Sequence, residues 1–126
     1  MIRVMLVDDQ TLVRQGVRSL LELADTIEVV AEAADGKQAV EKVPAVKPDV
    51  LLMDMRMPVM SGLEALRALA AQNALPPTII LTTFDDDQLV LAGIKAGAKG
   101  YLLKDVSLDQ LVSAIQTVAE GGSLVQ

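Results

Sequence analysis

The chain has 126 residues, a formal charge of −6 at neutral pH, no cysteine and no histidine. That length suits one domain, able to bury roughly two thirds of the surface its unfolded chain would expose. Without cysteine there is no disulfide framework and no thiolate metal site, which fits a reducing compartment. Without histidine there is no His-ligated zinc, no Ser-His or Cys-His nucleophile and no phosphohistidine donor. The acidic balance argues against this stretch binding nucleic acid by itself, because non-specific affinity comes from cations that neutralise phosphates, so a protein is the expected partner. Met1–Val7 is too short for a signal-peptide core and runs into Asp8-Asp9. No apolar run approaches the roughly twenty residues of a membrane helix, and a cytoplasmic protein with no membrane partner is expected.

Ile2–Val7 is a short β-rich apolar run, after which Val13, Val17, Leu20, Leu21 and Ala24 share one helical face. The period has switched from strand to helix. Ile27–Ala33 reads as a second strand, Gly36 to about Val43 as a short helix that Pro44 should end, and Val50–Met53 as a third strand. The third helix follows Gly62; it opens with the capping signature Ser61-x-x-Glu64 and carries Leu63, Leu66, Leu69 and Ala70 as its apolar stripe. Pro76-Pro77 closes the connection to a fourth strand, Thr78–Thr82, and a fourth helix follows Asp85-Asp86-Asp87. That acidic run reads as a capping and solvated segment, with no metal assigned to it. A fifth strand spans about Gly100 to Leu103. The last helix opens with Ser107-x-x-Gln110, buries Leu108, Leu111, Val112, Ile115 and Val118, and stops at Gly121-Gly122. Strict βα alternation predicts an α/β fold, with a parallel sheet, helices on both faces and right-handed crossovers.

In parallel sheets all strands end on one side, where ligands sit in open α/β folds. Asp8-Asp9, Asp54, Thr82 and Lys104 each follow such a strand or close it. Asp8-Asp9 alone would pass for caps of the first helix, since aspartate is favourable there. Asp54 and Lys104 at two other strand ends point instead to a shared site. Carboxylates crowded in a partly desolvated cleft raise each other's pKa, and a bound cation relieves this. All-oxygen donors in a small open cleft favour Mg²⁺, which keeps several waters and accepts one or two carboxylates. Lys104 would supply a point charge, and Thr82 a hydroxyl, to a phosphoryl group on Asp54.

With these pieces in place the chain resembles the receiver domain of two-component response regulators over essentially its whole length. The resemblance rests on Asp8-Asp9, on Asp54-Met55-Arg56-Met57-Pro58 with Gly62, on Thr82-Thr83, and on Tyr101-x-x-Lys104. Leu81-Thr82-Thr83-Phe84-Asp85, Gly97–Asp105 and Ala119-Glu120-Gly121-Gly122 look like the NarL/FixJ class, whose receivers precede a LuxR-type helix-turn-helix output domain.

The resemblance implies a three-layer, doubly wound (βα)5 flavodoxin-like fold with strand order 2-1-3-4-5. It makes Asp54 the phosphoacceptor, Asp9 a direct Mg²⁺ ligand, Asp8 a ligand largely through water, and the Arg56 backbone carbonyl a further ligand. Lys104 would pair the phosphoryl group, Thr82 would hydrogen-bond it, and Tyr101 would change rotamer as Thr82 moves; Tyr101 could equally be a half-buried core residue with a wet hydroxyl. Such a domain is no enzyme beyond catalysing its own phosphorylation and dephosphorylation. Its implied partners are a sensor histidine kinase, a second copy on phosphorylation, and DNA only through a C-terminal domain outside this chain. Many receivers have proline after the lysine, often cis; Asp105 stands there, so a trans bond is expected.

Residues 1–122 are read as the receiver and 123–126 as the start of a linker to the output domain. Competing readings are weaker. An aspartyl-nucleophile phosphatase wants a second carboxylate where Arg56 stands, a dinucleotide-binding enzyme wants glycines where Val7-Asp8-Asp9-Gln10 stands, and a pseudo-receiver would not keep the whole site. A stand-alone receiver acting by docking remains the alternative to a transcription regulator.

Overall fold

Each strand of the computed structural model, which describes residues 1–83 and 86–124, alternates its side chains between the two faces of one sheet. Ten elements follow one another: β1 (Ile2–Val7), α1 (Thr11–Glu22), β2 (Ile27–Ala33), α2 (Gly36–Val46), β3 (Val50–Asp54), α3 (Gly62–Ala71), β4 (Thr78–Thr82), α4 (Asp87–Lys95), β5 (Gly100–Leu103) and α5 (Leu108–Ala119). All four pairings are parallel and the sheet order is β2-β1-β3-β4-β5. The order reverses between β1 and β3, which places the crevice of the fold there.

The period of two decides what each helix covers. Val4, Leu6, Val50, Leu52, Ile79 and Leu81 face α1 and α5, meeting Leu21, Leu111, Ile115 and Val118. Met5, Val7, Leu51 and Met53 face the other way onto Ala39 and Val43 of α2 and Ala65 and Leu69 of α3. Ile80 continues that second face toward Leu66 and α4. Since β1, β3 and β4 are buried on both faces, they read as continuous apolar runs. Among the described residues no helix is long and apolar enough to cross a membrane.

Three expectations from the sequence need correction. Pro44 does not end α2, which continues to Val46. Its missing N–H frees only one carbonyl, and the turn beyond it is held from outside. Lys47 N donates to Val43 O at 2.8 Å, and the Arg3 guanidinium reaches over from β1 to donate to the carbonyls of Lys47 and Val46 at 2.7 and 2.8 Å. Leu20, placed on the core face of α1, is 41% exposed. The centre of that face is Leu21, and Leu20 lies about 100° around the helix from it. In α3 it is Ala65, not Ala70, that completes the buried stripe.

Both predicted capping boxes are present, at Ser61/Glu64 and Ser107/Gln110. At the far end Leu124 packs back onto the domain, its N–H donating to Lys99 O at 2.8 Å. Val125 and Gln126, the rest of the expected linker start, lie outside the described residues.

Candidate functional site

Backbone pairing carries β1 and β5 one residue past their ends and so aims the first site residues. Asp8 N donates to Ala33 O at 3.1 Å and Lys104 N to Thr82 O at 2.9 Å. Between them Asp54 closes β3, paired in register with Leu81. The loop after Asp54 is drawn tight by two close approaches that leave no room for a Cβ. One at Gly62 would lie 2.2 Å from Asp54 O, and one at Gly36 2.5 Å from Met60 O. The same loop holds Val59 at φ +68°, where Met60 N donates to Pro58 O at 2.7 Å. A β-branched residue there is strained, and the strain sits beside the functional site.

These constraints bring Asp8, Asp9 and Asp54 together, each offering a carboxylate oxygen within 4.8 Å of the others. Asp8 and Asp54 are buried; Asp9 is exposed. One Lys104 Nζ stands 3.3 Å from Asp8 Oδ2 and 3.3 Å from Asp54 Oδ2. The other Asp8 oxygen accepts from Gln10 N at 2.8 Å, and the other Asp54 oxygen from Arg56 N at 3.3 Å. Asp8 therefore does not act as the cap of α1; the N-cap residue is Gln10, whose side chain makes no capping bond.

The electrostatics follow from this crowding. Burial pushes the Asp54 carboxyl above the ordinary aspartate range, with the charge of Asp8 adding to the rise; Lys104 and the Arg56 N–H oppose it without cancelling it. Burial alone would lower the Lys104 ammonium, but Asp54 and then Asp8 outweigh it and hold it above the usual lysine value. One ammonium thus serves two buried carboxylates.

The residues present also fit a cation. Asp8 Oδ2 is fully buried and, although 3.3 Å from the ammonium, receives no well-formed hydrogen bond. One ammonium shared between two of three clustered carboxylates leaves negative charge that a further cation would offset. The donors are all oxygen and include an exposed aspartate, which suits a hard divalent ion that keeps part of its water.

Thr82 lies at the same edge, buried at the end of β4, but its hydroxyl is turned toward Thr83 O at 3.2 Å and Asp86 Oδ2 at 3.5 Å. Tyr101 sits outside the acidic cluster. It pairs with Ile80 in the β4–β5 register and is 46% exposed, more open than a half-buried core residue. The peptide bonds of the described residues are all trans, including the one that joins Lys104 to Asp105.

Asp86 escaped the reading of its acidic run as a solvated cap. It is buried, makes no capping bond to α4, and binds the Arg56 guanidinium through both oxygens, with Nε at 2.9 and 3.0 Å and Nη2 closer still. Thr83 Oγ1 also donates to it at 3.4 Å. The Arg56 hydrogen bonds hold the Asp86 carboxyl below the usual range. The only signal in the sequence was indirect, an arginine two residues past Asp54 and an acid four residues past Thr82, at the ends of neighbouring strands. Asp85 and Phe84 lie outside the described residues.

Comparison with known proteins agrees with this geometry. The response regulator receiver domain family matches residues 4–116. The chain is 47% identical over 122 residues to the nitrate/nitrite response regulator protein NarP of Escherichia coli (strain K12), covering 97% of this chain and 57% of that protein. It is 42% identical over 125 residues to the transcriptional regulatory protein LnrK of Bacillus subtilis (strain 168), covering 99% of this chain and 57% of that protein. A two-component response regulator of the LuxR family from Aurantimonas sp. SI85-9A1 superposes with a TM-score of 0.89 at 35% identity, over 98% of this chain and 88% of that one. The chain thus spans little more than half the length of the curated relatives it matches. Family match, strand order and acidic triad together place this chain in the response regulator receiver domain family, among receivers similar to those of NarL- and LuxR-type regulators and distinct from enzymes of the ordinary kind.

Proposed function

We propose that Asp54 is the phosphoacceptor of a two-component switch and that a sensor histidine kinase is its donor. The observation that carries this reading is the single Lys104 ammonium set 3.3 Å from both Asp54 and Asp8 at the sheet edge. A carboxylate so placed has a fixed cation ready for the negative charge that arrives with a phosphoryl group. An Asp54 oxygen forms the new O–P bond, the P–N bond of the donor phosphohistidine breaks in line with it, and the imidazole leaves with a proton. With acetyl phosphate the leaving group is acetate. Because the donor supplies the chemical energy, the chain has only to position and neutralise.

Asp8, Asp9, Asp54 and the backbone carbonyl of Arg56 are the residues that would hold Mg²⁺. When bound, the ion neutralises phosphoryl oxygens in the transfer. Thr82 turns from Asp86 to the phosphoryl group, and Tyr101 follows on β5. Residues 1–122 then act as the receiver and 123–126 begin the connection to a LuxR-type DNA-binding output domain, with pairing of two copies on phosphorylation.

Incubation with acetyl phosphate and Mg²⁺, followed by mass mapping, should give one hydroxylamine-labile adduct, on Asp54. An Asp54→Asn protein that labels to the same extent would overturn the assignment.

A further inference from the structure

The donors that a phosphoryl group on Asp54 needs, beyond Lys104, are already committed to another acid. Arg56 touches Asp54 through its backbone N–H, at 3.3 Å, but its guanidinium is clasped by both oxygens of Asp86. The Thr82 hydroxyl, from the neighbouring strand end, lies 3.2 Å from Thr83 O and makes a longer contact, 3.5 Å, with Asp86. The two ends of this clasp differ in exposure: Asp86 is 8% exposed and sits at the start of α4, whereas the Arg56 side chain is 70% exposed and has open space to move into once the clasp is broken. The site it would swing toward holds three carboxylates against one ammonium, so a bound divalent ion only balances its charge and a dianionic donor still gains from one more cation.

We propose that Asp86 is a restraining residue of the phosphoryl-transfer site: its carboxylate holds the Arg56 guanidinium, with a longer contact to the Thr82 hydroxyl, and an incoming phosphoryl group must draw the guanidinium from it. Asp86 acts through these two residues and so positions them; it does not touch the reacting atoms. The clasp makes the resting domain slow to accept phosphate from small anionic donors. It also couples phosphate at Asp54 to the start of α4, because release of Arg56 leaves Asp86 without its cation. This inference rests on the phosphoacceptor reading of Asp54.

The test is the initial rate of Asp54 labelling by acetyl phosphate at saturating Mg²⁺, measured across a range of ionic strength. Asp86→Asn keeps the side-chain shape and one acceptor oxygen but removes the charge that holds Arg56. It should label about threefold to fivefold faster than the wild-type protein at low salt, the scale of a partly exposed ion pair, and the advantage should shrink as salt screens the freed guanidinium. In an Arg56→Ala background most of that acceleration should vanish, because the two residues act as one unit. Asp86→Ala should behave as Asp86→Asn does, and thermal melts report whether each variant is folded. An unchanged or slower rate in folded Asp86→Asn, or an equal acceleration with and without Arg56, overturns this inference alone. No label on Asp54 in the wild-type protein would instead overturn the phosphoacceptor reading beneath it.

Discussion

Replacing Lys104 by methionine should destabilise the metal-free domain and make its stability strongly pH-dependent. The ammonium stands 3.3 Å from Asp8 Oδ2 and from Asp54 Oδ2, in a site where the two carboxylate side chains are 5% and 7% exposed. Methionine keeps most of the volume and leaves both anions unpaired. Removing one partner of a buried ion pair costs about 3–5 kcal/mol; the lower end, about 3 kcal/mol, applies here because Lys104 keeps some contact with solvent. For a chain of this size that is a drop on the order of 10 °C in melting temperature. The sign with pH follows from proton binding. Asp54 is already raised by burial, and loss of the cation raises it further, so between its unfolded and folded pKa values the native state holds more protons than the unfolded one. Stability then falls as pH rises, and the penalty of Lys104→Met is full at neutral pH and fades as pH drops through the raised Asp54 value. Melts in EDTA from pH 4.5 to 8 would measure this. A Lys104→Met protein that melts within a degree or two of wild type at pH 7.5, with no steeper pH dependence, would refute the claim that one ammonium carries both carboxylates.

Mg²⁺ should raise the melting temperature of the wild-type protein by mass action, by about 2.7 kcal/mol of stability at a hundredfold excess over its dissociation constant. Asp9→Ala should lose more of that gain than Asp8→Ala, and equal losses would contradict direct ligation by Asp9 and water-mediated ligation by Asp8. Beryllofluoride, a phosphoryl mimic, should shift amide resonances at Thr83 and Tyr101, and at Phe84 between them. Thr82→Ala should blunt those shifts without preventing label on Asp54, whereas shifts confined to the acidic cleft in the wild-type protein would remove Thr82 from the switching route.

The fold was legible because its signals are local and repeated. Parallel strands buried on both faces must be apolar throughout, and Val4–Val7, Val50–Met53 and Ile79–Leu81 are, so the strands stood out without any pairing information. The capping boxes at Ser61 and Ser107 marked helix starts because both of their bonds lie within four residues of chain. Pro44 was misread for the complementary reason. What tolerates it is Arg3, more than forty residues away, whose guanidinium donates to the carbonyls past the proline. No window of sequence around Pro44 contains that donor.

The site divides along the same line. Asp8, Asp54 and Lys104 could be brought together on paper, because the rule that parallel strands end on one side needs only strand ends, and each of these residues is at one. Asp86 could not, since it belongs to no strand and its role is fixed by a side chain reaching across from another loop. Composition made it look like one of three interchangeable acids. Burial makes it different, because a carboxylate withdrawn from water must be paired, and the cation it pairs with is two residues from Asp54. Charge therefore enters this site in two sets, Lys104 between Asp8 and Asp54, and the Arg56 guanidinium on Asp86, joined by the Arg56 backbone N–H that donates to Asp54. Phosphate on Asp54 would add negative charge where the sets meet, and the cation with the freer side chain, Arg56, is the one able to respond.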